Sequence, residues 1–242
     1  MPETAADRLF VALDVERLED AEALLERLAG IVGGCKIGSQ LFTAVGPAAV
    51  ERALKRGYRV FLDLKYHDIP NTVAGAVREA TRLGVFMLNV HASGGAAMMR
   101  AAAAAAASAA KDFAMPRPLI LGVTVLTSLD RRALETEVGV PGTVEAHALR
   151  LAERARAAGL DGCVASAREI APLRLALGRG WVMVTPGIRS SERNDDQART
   201  ATAAAAVRAG ADYLVVGRPI IAAADPVATA RTILEEVSRA HD

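Results

Sequence analysis

Aromatic residues are scarce in this 242-residue chain: five Phe, three Tyr and one Trp make up 4%. That leaves too few rings for the stacking platforms on which single-stranded nucleic acids lie. Neither sign of charge is in real excess, with 29 Lys and Arg against 28 Asp and Glu and a formal net charge of +1. Nucleic acid and anionic membrane surfaces are therefore not expected partners. Cysteine is nearly absent. Cys35 and Cys163 each sit inside a short apolar run, which excludes a disulfide framework and a zinc ligand set and fits buried, reduced thiols in a cytoplasmic protein. No apolar run is long enough to span a bilayer. The longest, around the seven alanines at 101–107, is weakly hydrophobic and strongly helix-forming. The N-terminus is polar and acidic and is not expected to be a signal peptide.

What is present is an ordinary globular balance, 52% hydrophobic and 24% charged, in a strict alternation. Short apolar runs at 9–13, 34–37, 58–64, 85–90, 119–126, 160–165, 181–184 and 213–216 are separated by helical patterns. The predicted helices cover 18–29, 39–56, 71–83, the alanine-rich stretch, 143–158, 167–177, 196–209 and a last segment from Pro226. Runs apolar throughout, rather than every second residue, indicate strands covered on both faces, as in a parallel sheet. Gly57, Gly84, Gly159 and Gly210 stand where helices should end before the next strand. Eight such units in one domain over residues 1–242 predict a (β/α)8 barrel; a doubly wound open sheet is the alternative. No glycine-rich dinucleotide fingerprint follows the first run, where Asp14-Val15-Glu16-Arg17 stands instead. The second run is the weakest strand, being short and containing Lys36 and two glycines. Residues 128–142 and 190–196 read as long loops.

In a barrel the chemistry gathers at the C-terminal ends of the strands. Polar groups fall there repeatedly: Asp14, Lys36, Asp63 and Lys65, Asn89 and His91, Thr127, Arg189, Gly217 and Arg218. Asp63 and Lys65 are two apart on one strand, so alternation places them on the same side, close enough to pair. A lysine among carboxylates is held as the ammonium. Lys36 on the neighbouring strand extends the array. It can serve as an ion-pair network closing the barrel or as the heart of an active site. The loops after the seventh and eighth runs, with Gly187, Arg189, Gly217 and Arg218, are where this fold often holds phosphate. The four histidines show no metal-ligand spacing. His91 fits either a catalytic or a hydrogen-bonding role, and Met98 and Met99 read as packing.

The segment Asp63-x-Lys65-x-x-Asp68-Ile69-Pro70-Asn71-Thr72 resembles the signature of the orotidine 5′-phosphate decarboxylase family. Asp14, Lys36, Leu126-Thr127-Ser128, Thr185-Pro186-Gly187-Ile188-Arg189, Asp196-Gln197 and Val216-Gly217-Arg218-Pro219 extend the resemblance over nearly the whole chain. It implies a barrel enzyme that converts orotidine 5′-monophosphate to uridine 5′-monophosphate and CO2, without metal or organic cofactor, as a cytoplasmic homodimer with its active sites at the subunit interface. It implies Lys65 as the proton donor to C6, Asp63 beside the substrate carboxylate, and Asp68 contributed by the other subunit. It further implies Asp14 and Lys36 on the ribose with Thr72 from the partner, and Thr127 on the base. Arg189, Gln197, Gly217 and Arg218 would hold the phosphate and a closing loop at 190–196; Asn71 and Pro186 complete the binding set. Sugar-phosphate decarboxylases and synthases of the same superfamily use magnesium and a further carboxylate, but the residue two before Asp63 is Phe61. A non-catalytic nucleotide-binding barrel is the reading from a different class, against which the complete set of Asp63, Lys65 and Asp68 argues.

Overall fold

The computed structural model describes residues 2–189 and 201–240. Its eight strands are β1 (Leu9–Ala12), β2 (Gly34–Gly38), β3 (Arg59–Tyr66), β4 (Met87–His91), β5 (Leu119–Val123), β6 (Gly162–Val164), β7 (Val182–Thr185) and β8 (Tyr213–Val216). They pair in sequence order, all parallel, and β8 closes back onto β1. The open-sheet alternative is thereby excluded.

The unbroken apolar character of the strands follows from their two buried faces. Outward residues such as Leu9, Val11, Ile37, Val60 and Leu88 pack beneath the surrounding helices. Inward residues such as Phe10, Phe61, Met87, Leu121 and Val184 fill the barrel. The lower end is plugged by rings: Phe10 meets Tyr213 edge-on at 5.6 Å, and the Arg59 guanidinium lies 4.9 Å over Phe86. Following the same inward positions upward at the strand period of two, the chemistry changes: Phe10 and Ala12 lead to Asp14, Phe61 leads to Asp63, and Met87 leads to Asn89 and His91. The barrel is thus apolar below and polar at its C-terminal mouth.

β2 explains its own odd composition. A Cβ on Gly34 would overlap the Phe10 ring and stand 2.7 Å from the Arg59 carbonyl oxygen, while a Cβ on Gly38 would stand 2.8 Å from Lys36 Nζ. Its inward positions therefore read small, long, small, and the lysine occupies the room its neighbours leave.

Two expectations need correction. The predicted helix over 39–56 is two helices, Ser39–Val45 and Ala48–Lys55, divided where Gly46 takes φ 64 before Pro47. The stretch 128–142, read as a loop, contains the helix Arg131–Thr136, whose N-terminus is capped by the Asp130 side chain accepting from the Ala133 N–H at 2.8 Å. Of the helix predicted over 196–209, only Ala203–Ala209 is helical among the described residues: Thr202 is its N-cap and Ala201 bridges to Ile188, while 196–200 and the loop 190–196 lie outside the described residues. Short helices at Ala5–Arg8 and Arg218–Ile221 flank the barrel ends. No helix among the described residues is long and apolar enough to cross a membrane.

Candidate active site

A cavity of about 220 Å³ opens at the C-terminal mouth. Ten of the residues singled out from the sequence line it: Asp14, Lys36, Asp63, Lys65, Thr127, Pro186, Gly187, Arg189, Gly217 and Arg218. Four of them form a chain of alternating charge. Lys36 Nζ stands 3.0 Å from Asp14 Oδ1 and 3.4 Å from Asp63 Oδ2, and Lys65 Nζ stands 2.7 Å from Asp63 Oδ1. Lys36 and Asp63 are each only 9% exposed. Burial by itself pulls the Lys36 amine down, but the carboxylates of Asp63 and Asp14 outweigh it and hold the pKa above the ordinary lysine value. Two buried opposite charges thus stabilise each other where either alone would be costly.

Asp63 and Lys65 meet, as alternation predicts, but by another route. β3 slips out of register with β4 between Leu62 and Tyr66, and Lys65 within that slip has φ 51. The sheet bulges at the functional residue. Asn89 of β4, wholly buried, spans the bulge: it donates to Asp63 Oδ1 at 2.7 Å and accepts the Lys65 backbone N–H at 2.8 Å. Asn89 stands outside the residue set drawn from the family resemblance. A polar residue inside an otherwise apolar run was the signal for it.

Across the mouth, Gly187 at φ 77 turns the chain after β7 toward Arg189, whose backbone N–H donates to the Ala201 carbonyl at 2.9 Å. Gly217 follows β8 close to Asp14, where a Cβ would stand 3.3 Å from Asp14 Oδ2, and Arg218 begins the next helical turn. Among the described residues, the charged groups lining the cavity are four cations, Lys36, Lys65, Arg189 and Arg218, against two carboxylates, Asp14 and Asp63. The excess of two positive charges suits an anionic ligand. Val125, Leu126, Val164, Ala165 and Val215 supply an apolar wall. Leu126 apart, which belongs to the Leu126-Thr127-Ser128 segment, nothing in the sequence distinguishes these from other apolar residues of the strands and their ends.

Three expected residues are not brought into this cavity. Asp68, Asn71 and Thr72 are exposed on the rim, and Asp68 accepts the Ile69 N–H at 2.6 Å rather than meeting Lys65. Ile69 between them is 67% exposed. Gln197 lies outside the described residues. His91, at the end of β4, faces the His67 ring at 5.2 Å. Burial chiefly, then His67 and Lys65, keep its pKa below the usual histidine value against the opposing pull of Asp63. Met98 and Met99 are core residues, as read. Cys35 and Cys163 are free and buried, their thiols pushed up to about 12 by burial. Among the described residues there is no group of three His, Cys, Asp or Glu that could hold a metal ion.

A closed parallel barrel with a charged, asymmetric pocket at its C-terminal mouth defines a (β/α)8-barrel enzyme. The particular lineage follows from comparison with known proteins. Residues 7–233 match the family model described as Orotidine 5′-phosphate decarboxylase / HUMPS family, and the chain belongs to that family. It is 57% identical over 235 residues to the orotidine 5′-phosphate decarboxylase of Moorella thermoacetica, covering 96% of this chain and 93% of that one. It is 48% identical over 235 residues to the enzyme of the same name from Trichlorobacter lovleyi, covering 96% of both. Among solved structures, the orotidine 5′-phosphate decarboxylase of Lactobacillus acidophilus superposes with a TM-score of 0.82 at 33% identity, covering 95% of this chain and 98% of that one.

Proposed function

We propose that this chain decarboxylates orotidine 5′-monophosphate to uridine 5′-monophosphate and CO2, the last step of pyrimidine nucleotide synthesis, with Lys65 as the proton donor. The observation that carries the reading is the Asp14–Lys36–Asp63–Lys65 array, set in one cavity with Arg189 and Arg218. The substrate is an anion at both ends, with a phosphate and a carboxylate, and the lining carries the complementary excess of positive charge.

The chemistry follows from where charge appears. Breaking the bond between C6 and the carboxylate releases CO2 and leaves the electron pair in the plane of the ring, where no carbonyl can delocalise it. An ammonium already fixed at that position stabilises the developing charge without having to reorganise. Lys65, held by Asp63 at 2.7 Å, is such a group. It then transfers a proton from Nζ to C6 and is reprotonated from solvent. Asp63 lies beside the departing carboxylate. Asp14 and Lys36, paired at 3.0 Å, receive the ribose hydroxyls; Thr127 and Pro186 meet the base. Arg189, Gly217 and Arg218, with Gln197, take the phosphate, the arginines through their planar forks. Phosphate binding far from C6 serves to orient the ring for the reaction.

Asp68, Asn71 and Thr72 act from a second copy of the chain. What supports this is their exposure on the rim, around an exposed Ile69, with no place in their own cavity. The working unit is a homodimer in the cytoplasm, where two buried free thiols stay reduced. Protein mixed with orotidine 5′-monophosphate in the presence of a chelator should deplete its ultraviolet absorbance, and the product should be uridine 5′-monophosphate. An unchanged spectrum, or a reaction that starts only on adding magnesium, overturns the reading.

A further inference from the structure

Lys65 has the left-handed backbone that residues bearing a side chain avoid. Such a conformation persists only where the surroundings enforce it. Asn89 is what enforces it here. Its Oδ1 accepts the Lys65 N–H, and its Nδ2 donates to Asp63 Oδ1, the same oxygen that holds Lys65 Nζ. The two neighbours also dictate which way the amide points, since a flipped amide would set oxygen against carboxylate and NH2 against N–H. One side chain therefore fixes both the backbone of the proton donor and the rotation of its counter-ion. Asn89 itself does not line the cavity.

We propose that Asn89 is a positioning residue for the decarboxylation: by clamping the bulge at Lys65 and the carboxylate of Asp63 together, it aims the Lys65 ammonium at the reacting carbon. The proposal rests on the function assigned above. Catalytic groups need their geometry held to within a fraction of an ångström, and a hydrogen bond lost behind the site is enough to disturb it.

The test uses Asn89→Ala and Asn89→Asp, with kcat, KM and the affinity for uridine 5′-monophosphate measured on each. Ala106→Gly, in the buried face of the helix Gly95–Asp112, is the control for loss of stability alone. Asn89→Ala should lower kcat roughly 100-fold while product affinity stays within about threefold of wild type. In Asn89→Asp the isosteric side chain still accepts the Lys65 N–H but brings a second carboxylate against Asp63. Two such carboxylates retain a proton between them to unusually high pH, and the protonated form can donate to Asp63 as the amide does. Its kcat relative to wild type should therefore rise as pH falls from about 8 to 6. The ionisable groups facing position 89 are Asp63 and Lys65 from β3, Lys36 of β2 beyond Asp63, and His91 on the same face of β4; β5 on the other side has none.

Three results overturn the proposal: a kcat for Asn89→Ala within about threefold of wild type, parallel losses of kcat, product affinity and melting temperature of the kind Ala106→Gly would give, or a flat relative pH profile for Asn89→Asp. If Asn89→Ala does not fold, the isosteric variant decides. A wild-type protein that leaves orotidine 5′-monophosphate untouched overturns the functional assignment instead.

Discussion

Gly38 keeps open the space that the Lys36 ammonium fills: a Cβ at position 38 would stand 2.8 Å from Lys36 Nζ. The atom in the way is the far end of a flexible side chain, so Gly38→Ala should fold normally and displace the lysine from Asp14. Losing a charged hydrogen bond of this kind is worth about 1.5–3 kcal/mol. We expect kcat/KM to fall at least about tenfold, with the melting temperature lowered by only a few degrees, since Asp14 is half-exposed and water takes over part of the lost bond. Gly34→Ala should do the opposite. Its Cβ meets the Phe10 ring and the Arg59 carbonyl, and overpacking a core costs about 1–3 kcal/mol. Thermal melts beside rate measurements separate the two.

Lys65→Ala removes both the ammonium that stabilises the carbanion and its proton source. Each role is worth on the order of 100-fold or more, so activity should drop by at least about four orders of magnitude. The fold should survive, because the backbone bond from residue 65 to Asn89 Oδ1 and the Asn89 bond to Asp63 do not need the lysine side chain. Activity near wild type in a folded Lys65→Ala protein would end the assignment of proton donor.

Arg218 opens the helical turn after β8, the strand paired with β1, and lines the same cavity as the array. If it binds the phosphate, Arg218→Ala should lower kcat/KM about 10- to 100-fold, the worth of one or two charged hydrogen bonds. Added guanidinium ion should restore part of the loss by refilling the site with the same planar cation. A loss confined to the melting temperature would leave Arg218 a structural residue.

The barrel was legible because its physics is periodic. Eight doubly covered strands each need a continuous apolar run, and a helix must intervene before the next parallel strand. Even the doubtful strand, β2, lies where its run predicts; its lysine and glycines look wrong for a strand only until Gly34 is seen to make room for Phe10 and Gly38 for the Lys36 amine. Features set by one local contact were harder to read. The Asp130 cap that starts the helix Arg131–Thr136 was visible in principle. So was the break that Gly46 and Pro47 impose on the helix after β2. The bulge at Lys65 was not, because it depends on pairing with Asn89 on another strand. Of the site, charged residues at strand ends could be picked out, since charge in an apolar run is conspicuous. The apolar wall of Val125, Val164 and Val215 could not, since those side chains differ from core valines only in facing a void.

His91 gives the protein an acid-side dependence whose sign can be worked out. Its pKa in the folded protein lies below the ordinary value of 6.5, chiefly through burial and then through His67 and Lys65, with Asp63 opposing. The unfolded chain, with its histidine near 6.5, therefore binds the proton more readily. The stabilising contribution is fully present above pH 6.5 and is lost as pH falls through the lower folded value. Melting temperatures recorded downward from neutral pH should decline more steeply for wild type than for His91→Gln. His147 is shifted in the same direction and is retained in both proteins, as are the carboxylates, so the difference between the two curves reports position 91 together with its coupling to His67. Parallel curves would mean that His91 is protonated as easily in the barrel as in the unfolded chain, and that its contacts with His67 and Lys65 exert no net effect.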